Sequence, residues 1–414
     1  MRRTLPLALS TLLLAGAATA QQRASRSYDF VNSIGVNTHF TYTNTAYYQQ
    51  PATLINAIQN LHVRHVRDGL AYSWVAPNLY AIHAQLAQAG ILADLVTPNP
   101  QSGATAAQLD ALLPNYPDVE AIEGPNEYDQ TNNANWAVDL KAYLPTVWQA
   151  GENAHLTVIG PSFTQPASYS AIGVISGYMN FNNLHAYWGG RNPETWGWGG
   201  LDAQGHAYGS FEYDLDKENI DGPGVPVIMT ESGYVASHTP TQGEIWEGTE
   251  AVYAPRLLLH AWNEGITRTY LYELMDDPSS TTGYGLLRYD LSPRPAYAAI
   301  ANLTKLLADG SSTFAPETLN YSLTGNTTGV ETTLLEKQDG SFWLAIWLKG
   351  SVYDVNALKP TPIDPQAVQL SISGGKNVRC IWSFDQSGNT SSTSVNSATV
   401  NLSVSSTIQL LKIS

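Results

Sequence analysis

Val119-Glu120-Ala121-Ile122-Glu123-Gly124-Pro125-Asn126-Glu127-Tyr128 is a short run with apolar residues at its centre, closed by Gly-Pro and followed by an amide and a carboxyl. Bounded in this way it reads as a strand, and the two polar side chains then stand at its C-terminal tip. The same form returns at Pro226-Val227-Ile228-Met229-Thr230-Glu231-Ser232-Gly233-Tyr234. Working outward from these two stretches, further strand-like runs occur at residues 34–38, 63–68, 91–97, 156–161, 181–187 and 267–274. With 119–124 and 226–231 they make eight, and helical stretches separate them. Eight strands alternating with helices is the count that a closed parallel (β/α)8 barrel requires.

The helices carry their own periodicity. Leu54, Ile55 and Ile58 fall at helical spacing within 51–60, and Leu79, Ile82, Leu86 and Ala89 do so within 78–90, which ends at a glycine. Residues 243–265 offer Val252, Leu257, Leu258 and Trp262 as a buried stripe, and 295–307 close the set. The connection from Tyr187 to Pro226 is long and rich in Trp, Gly and Asp, which marks it as functional.

Near Asp309-Gly310-Ser311-Ser312 the character changes, and helix signals give way to Ser, Thr, Asn and Val. Alternating runs at 329–337 and 341–349 flank Gln338-Asp339-Gly340, which predicts a hairpin. Runs at 367–373, 377–384, 397–404 and 407–413 extend the pattern to an antiparallel β-sandwich. The expected organisation is a leader at residues 1–20, a barrel at 21–310 and a sandwich at 311–414, with residues 21–33 able to pair with the sandwich. The leader is read from a positive Met1-Arg2-Arg3, an apolar stretch to Gly16 and the small-x-small triplet Ala18-Thr19-Ala20. It implies secretion to the periplasm or the exterior.

Composition narrows the partners. Against 20 basic residues stand 35 acidic ones, a net charge of −15 that removal of Arg2 and Arg3 takes to −17. Nucleic acid is therefore not expected, because phosphate binding needs a basic face. Beyond the leader no run of about 18 apolar residues occurs, so no membrane span is expected. The single cysteine, Cys380, has no internal partner for a disulfide. Eleven Trp and 23 Tyr supply core and, in part, surface on which sugar rings could stack.

Reactive side chains in such barrels stand where strands end. Glu127 and Glu231 lie 104 positions apart, yet barrel closure puts both on one rim. Two carboxyls across a sugar linkage divide the work: one protonates the leaving oxygen, while the other attacks the anomeric carbon or activates water. At this point the chain resembles the clan A glycoside hydrolases, barrel enzymes with catalytic glutamates after strands four and seven. The Asn126-Glu127 pair is similar to the clan's strand-four motif, which implies that Glu127 is the acid/base and that Asn126 binds the sugar 2-hydroxyl. Glu231 matches the strand-seven nucleophile. Arg67 resembles the strand-two arginine that keeps the nucleophile ionised, and His185-Ala186-Tyr187 resembles the His-x-Tyr pair whose Tyr donates to it. With its trailing sandwich, the chain is most similar to family 39 and to families 30 and 79. It departs at strand eight, where many members place a Trp beneath the sugar and this chain reads Tyr270-Leu271-Tyr272-Glu273.

Other residues carry more than one reading. Glu123 is a rival proton donor or a member of a buried network with Arg67 or Glu273. Asp68 is a substrate ligand or a partner of a neighbouring side chain, and His39 a sugar contact or a core histidine. Trp188, Trp196 and Trp198, with Tyr208, cluster in the Gly-rich sixth loop and are expected to stack on sugars. Trp343 and Trp347 share one face of a sandwich strand, where core packing is expected. Asp276, Asp277 and Tyr284 line a subsite or form a polar loop. His39 and His185 lack a His-x-x-x-His or Cys/His cluster, so no metal or other cofactor is expected. The expected protein is a secreted retaining glycosidase acting on a poly- or oligosaccharide. The alternatives are a non-catalytic carbohydrate-binding barrel and a transglycosylase with the same residues.

Overall fold

The computed structural model describes residues 20–277 and 283–414. All of the expected leader except Ala20 lies outside the described residues. Eight parallel strands form one sheet: β1 (Ile34–Asn37), β2 (His65–Gly69), β3 (Leu92–Val96), β4 (Val119–Glu123), β5 (Thr157–Ile159), β6 (Asn182–Ala186), β7 (Val227–Ser232) and β8 (Arg268–Leu271). Their order, β5-β4-β3-β2-β1-β8-β7-β6, closes on itself through a parallel bridge between Ile159 and Phe181. A helix follows every strand, from Pro51–Asn60 after β1 to Pro295–Leu307 after β8. This is a (β/α)8 barrel. The strands are shorter than the sequence implies at several ends; β8 stops at Leu271, and 272–274 already belong to the rim.

The N-terminal segment and the C-terminal third build two antiparallel-rich sheets. Ala20–Arg23, Thr318–Gly325, Gln366–Ile372 and Thr399–Val404 make one, and Ser25–Arg26, Val330–Glu336, Phe342–Leu348, Gln409–Ile413, Val378–Phe384 and Thr390–Ser397 the other. The sheets enclose a core that includes Leu344, Ile346, Leu370, Val404 and Leu411. Strand Phe342–Leu348 is buried along its whole length, because alternate residues serve different neighbours. Phe342, Leu344, Ile346 and Leu348 face the sandwich interior, whereas Trp343, Ala345 and Trp347 join the barrel's core. The two tryptophans are thus core residues of the junction between the two parts.

That junction explains the helix Glu247–Asn263. Residues 247–261 are all buried, not merely one stripe, because the barrel covers one side and the sandwich the other. A buried ion pair fixes the contact: Arg256 Nε donates to Glu194 Oε1 at 2.8 Å, Trp347 Nε1 donates to the same oxygen at 2.8 Å, and Arg256 Nη2 reaches the carbonyl of Gly350 at 3.1 Å. Burial would raise the pKa of Glu194, but Arg256 outweighs it and takes the carboxyl down to about 2. Among the described residues no helix is long and apolar enough to cross a membrane.

Candidate active site

The rim at the C-terminal ends of β1–β8 gathers the polar side chains. Arg67, in β2, is their hub. Its Nε and Nη2 donate to Glu123 Oε2 and Oε1 at 2.7 and 2.6 Å, Nη1 to Asn37 Oδ1 at 3.1 Å and to Glu231 Oε1 at 2.7 Å, and Nη2 also to Asn126 Oδ1 at 2.7 Å. All five guanidinium hydrogens are thereby engaged, which fixes two glutamates and two asparagines about one rigid group. Burial opposes the charge on Arg67, yet Glu123 and Glu231 more than offset it and hold the pKa well above the ordinary value. Glu123 is fully buried and bidentate to Arg67, so it belongs to the supporting network.

Glu231, in β7, receives a second donor, the Tyr187 hydroxyl, at 2.9 Å from Oε2. Burial by itself would raise the Glu231 pKa, but His185 when its ring is charged, Arg67 and Tyr187 bring it below the usual carboxylate value. Burial and the Glu231 charge push the Tyr187 phenol well up, so it remains a donor. An ionised Glu231 is what a nucleophile needs.

Glu127 follows β4 by a tight turn. Gly124 is required there, since a Cβ would stand 2.6 Å from Pro161 N. Glu127 itself takes a left-handed φ of +44° and donates its backbone N–H to Ser162 Oγ at 3.0 Å. Its side chain meets His185 Nδ1 at 2.8 Å through Oε1 and Gln130 Nε2 at 2.8 Å through Oε2. Glu127, Glu231 and His185 each offer an atom within 4.8 Å of the others. Such a trio has metal-like spacing, but Arg67 already places a cation 2.7 Å from Glu231. A second trio of Asp202, His206 and Asp216 lies in the sixth loop, with His206 Nδ1 2.6 Å from Asp216.

Around the pair, His39 Nε2 stands 3.1 Å from Glu273 Oε2, and its ring stacks on Tyr42 at 4.6 Å. Burial raises the Glu273 pKa, partly offset by His39. Tyr272, just after β8, sits 5.7 Å from His39 and 5.4 Å from Tyr284. Asp68 accepts from Thr38 Oγ1 and from Phe40 N at 2.7 and 2.8 Å, so it braces the β1 loop. Asp276 is paired with Arg294 at 2.8 Å.

The aromatic loop divides. Trp198 and Tyr208 line a cavity of about 160 Å³ that also contains Glu127, His185 and Tyr187. Trp196 is exposed but does not line it. Trp188 corrects the expectation: it is 1% exposed and stacks on Phe211 at 5.8 Å, so no sugar can reach it. It directly follows Tyr187, which the rim uses, and the next side chain along the chain turns into the barrel wall. Sequence reasoning also passed over Gln130, which donates to Glu127 directly, Thr230, which bonds His185, and Asn183, which bonds Thr230. Thr230 was visible only as a residue inside β7, and Asn183 only as one inside β6.

No family model and no curated protein matches this sequence. Solved structures do resemble the fold. One is a family 39 glycoside hydrolase from the gut symbiont Bacteroides cellulosilyticus WH2, at TM-score 0.62 and 17% identity, covering 93% of this chain and 82% of that one. A family 51 alpha-L-arabinofuranosidase from Bifidobacterium longum aligns at TM-score 0.54 and 10% identity, over 96% and 98% of the two chains. An endo-beta1,6-glucanase aligns at TM-score 0.50 and 10% identity, over 96% and 95%. The chain is therefore a (β/α)8 barrel with a β-sandwich, of the architecture these glycoside hydrolases share. This is the fold that the resemblance to clan A implied.

Proposed function

We propose that this protein is a secreted glycoside hydrolase that cleaves O-glycosidic bonds of a poly- or oligosaccharide with retention of configuration. The observation that carries the proposal is the placement of Glu127 and Glu231 within 4.8 Å of each other, with Arg67 and Tyr187 bound to Glu231 alone of the two. Retaining enzymes hold their carboxyl groups about 5–5.5 Å apart, whereas inverting ones need about 6.5–9.5 Å to admit a water.

In this reading Glu231 attacks the anomeric carbon while Glu127 gives its proton to the departing oxygen. The resulting ester removes the charge on Glu231, and Glu127 then takes a proton from water, which releases the sugar and regenerates both groups. Asn126 Oδ1 is occupied by Arg67, so its Nδ2 is the donor left for the sugar 2-hydroxyl. Tyr272 offers the ring beneath the sugar. The cavity with Trp198 and Tyr208 lies on the Glu127 side and accepts the leaving group. No metal or redox cofactor takes part in this cycle, and no nucleic acid or membrane enters it.

The test is product analysis on a polysaccharide panel, with the anomeric configuration followed by NMR. Release of a sugar first seen in the configuration of the substrate supports the proposal. The opposite configuration would sink retention, and binding without any release across the panel would favour a carbohydrate-binding barrel. Products longer than the substrate would identify a transglycosylase.

A further inference from the structure

His185 lies between the two glutamates, and its hydrogen bonds determine where its protons are. Asn183 Nδ2 donates to the carbonyl of Gly160 at 2.8 Å, which orients the amide so that Oδ1 faces away from that carbonyl. The Thr230 hydroxyl donates to that Oδ1. A hydroxyl has one hydrogen, so Thr230 Oγ1 can only accept from its other neighbour, His185 Nε2, at 3.0 Å. Nε2 therefore carries a proton, and in the neutral ring Nδ1 is bare.

Nδ1 faces Glu127 Oε1 at 2.8 Å and Glu231 Oε2 at 3.5 Å. Glu127 Oε2 accepts from Gln130, which leaves Oε1 as the oxygen that bears the acid proton. The bare Nδ1 is thus the acceptor for a proton carried on Glu127 Oε1. Among the described residues, Glu231, Arg67, Tyr187 and Tyr284 lie close to this pair, and Tyr208, Tyr213, Asp214 and Lys217 line the same cavity.

We propose that the chain Gly160 carbonyl, Asn183, Thr230 locks His185 as the Nε2–H tautomer, and that this tautomer keeps the acid proton on the Glu127–His185 pair until a leaving group takes it. Thr230 and Asn183 are then positioning residues acting through His185. In the opposite tautomer Nδ1–H would donate to both carboxylates and stabilise Glu127 as the anion, the form unable to act as acid. The kinetic half of this inference rests on the glycosidase reading; the tautomer does not.

The experiment has two arms. In protein labelled with ¹⁵N-histidine, long-range proton–nitrogen correlations should show the neutral His185 ring protonated at Nε2 and bare at Nδ1. Thr230→Val should abolish that pattern, and Thr230→Ser should restore it. In kinetics with a poor leaving group, Thr230→Val should move the alkaline limb of kcat/KM to lower pH by about one unit, since a donor to the carboxylate favours its ionised form. Thr230→Ser should bring the limb back. An Nδ1–H ring in the unaltered protein overturns the lock whatever Thr230→Val does to folding. An unmoved limb in a Thr230→Val protein whose tautomer has changed overturns the proton-holding role. Absence of turnover in the unaltered protein on every glycoside would instead remove the glycosidase reading and leave the tautomer result intact.

Discussion

Arg67 Nη1 donates to Glu231 Oε1 at 2.7 Å, whereas no guanidinium hydrogen of Arg67 goes to Glu127. The two glutamates are alike in sequence and unlike in surroundings, and that difference assigns their roles. Glu231→Gln keeps an acceptor for Arg67 but removes the attacking carboxylate. The expected outcome is loss of hydrolysis with an unchanged circular dichroism spectrum and thermal midpoint. Retained hydrolysis would remove Glu231 as nucleophile.

Glu127→Ala should separate substrates by leaving group. A general acid contributes about 10²–10⁴-fold. That factor should be lost for sugars as leaving groups and largely spared for nitrophenyl glycosides in the first chemical step. Added azide should restore turnover of the activated substrate by replacing water at the ester. Equal losses on both substrates would contradict the acid role.

Tyr187→Phe tests how Glu231 is kept ionised. The carboxyl's pKa is below the ordinary value, with Arg67, Tyr187 and, when its ring is charged, His185 acting in that direction against burial. Loss of one donor must raise it, so the acidic limb of kcat/KM should shift upward by about one unit, the size of a hydrogen bond to a charged group. A downward shift or none would show that Tyr187 does not bear on the charge.

The barrel–sandwich junction can be tested by denaturant unfolding. Glu194→Ala leaves Arg256, which is fully buried, without its carboxylate. Breaking one partner of a buried pair costs about 3–5 kcal/mol. Trp347→Ala, which removes another donor to Glu194, should be costly as well, by about 3–5 kcal/mol for a fully buried tryptophan. Losses below about 1 kcal/mol would show that the junction contributes little to stability.

Much of this was legible because β4 and β7 are short apolar runs with an abrupt polar end. Periodicity and Gly/Pro punctuation locate such strands, and topology then places Glu127 and Glu231 on one rim. Strand Thr390–Ser397 escaped because it is Thr-Ser-Ser-Thr-Ser-Val-Asn-Ser, mostly exposed at a sheet edge, with no apolar alternation to read. Trp188 misled for the opposite reason. In a Gly-rich loop no period tells a buried ring from an exposed one, and here Phe211 on the following helix supplies the stacking partner. The Asn183–Thr230 chain was illegible because it joins two strands 47 positions apart through single hydrogen bonds. Strand register sets such contacts, and a residue-type pattern does not carry them.

The cavity wall beside Glu127 also contains a partly buried carboxyl. Asp214 lines it, and burial pushes its carboxyl up to about 7 against the opposing charge of Lys217. A carboxyl in an unfolded chain titrates near about 3.9, so between that value and about 7 the unfolded state loses a proton that the folded state retains. The contribution of Asp214 to stability is therefore full below the unfolded value and disappears as pH rises through the folded one. Asp214→Asn keeps the shape and removes the ionisation. Its thermal midpoint relative to the unaltered protein should rise steadily from about pH 4 to about pH 7 and level off above that, as differential scanning calorimetry would record. A difference independent of pH would mean that the carboxyl is ionised as readily in the fold as outside it.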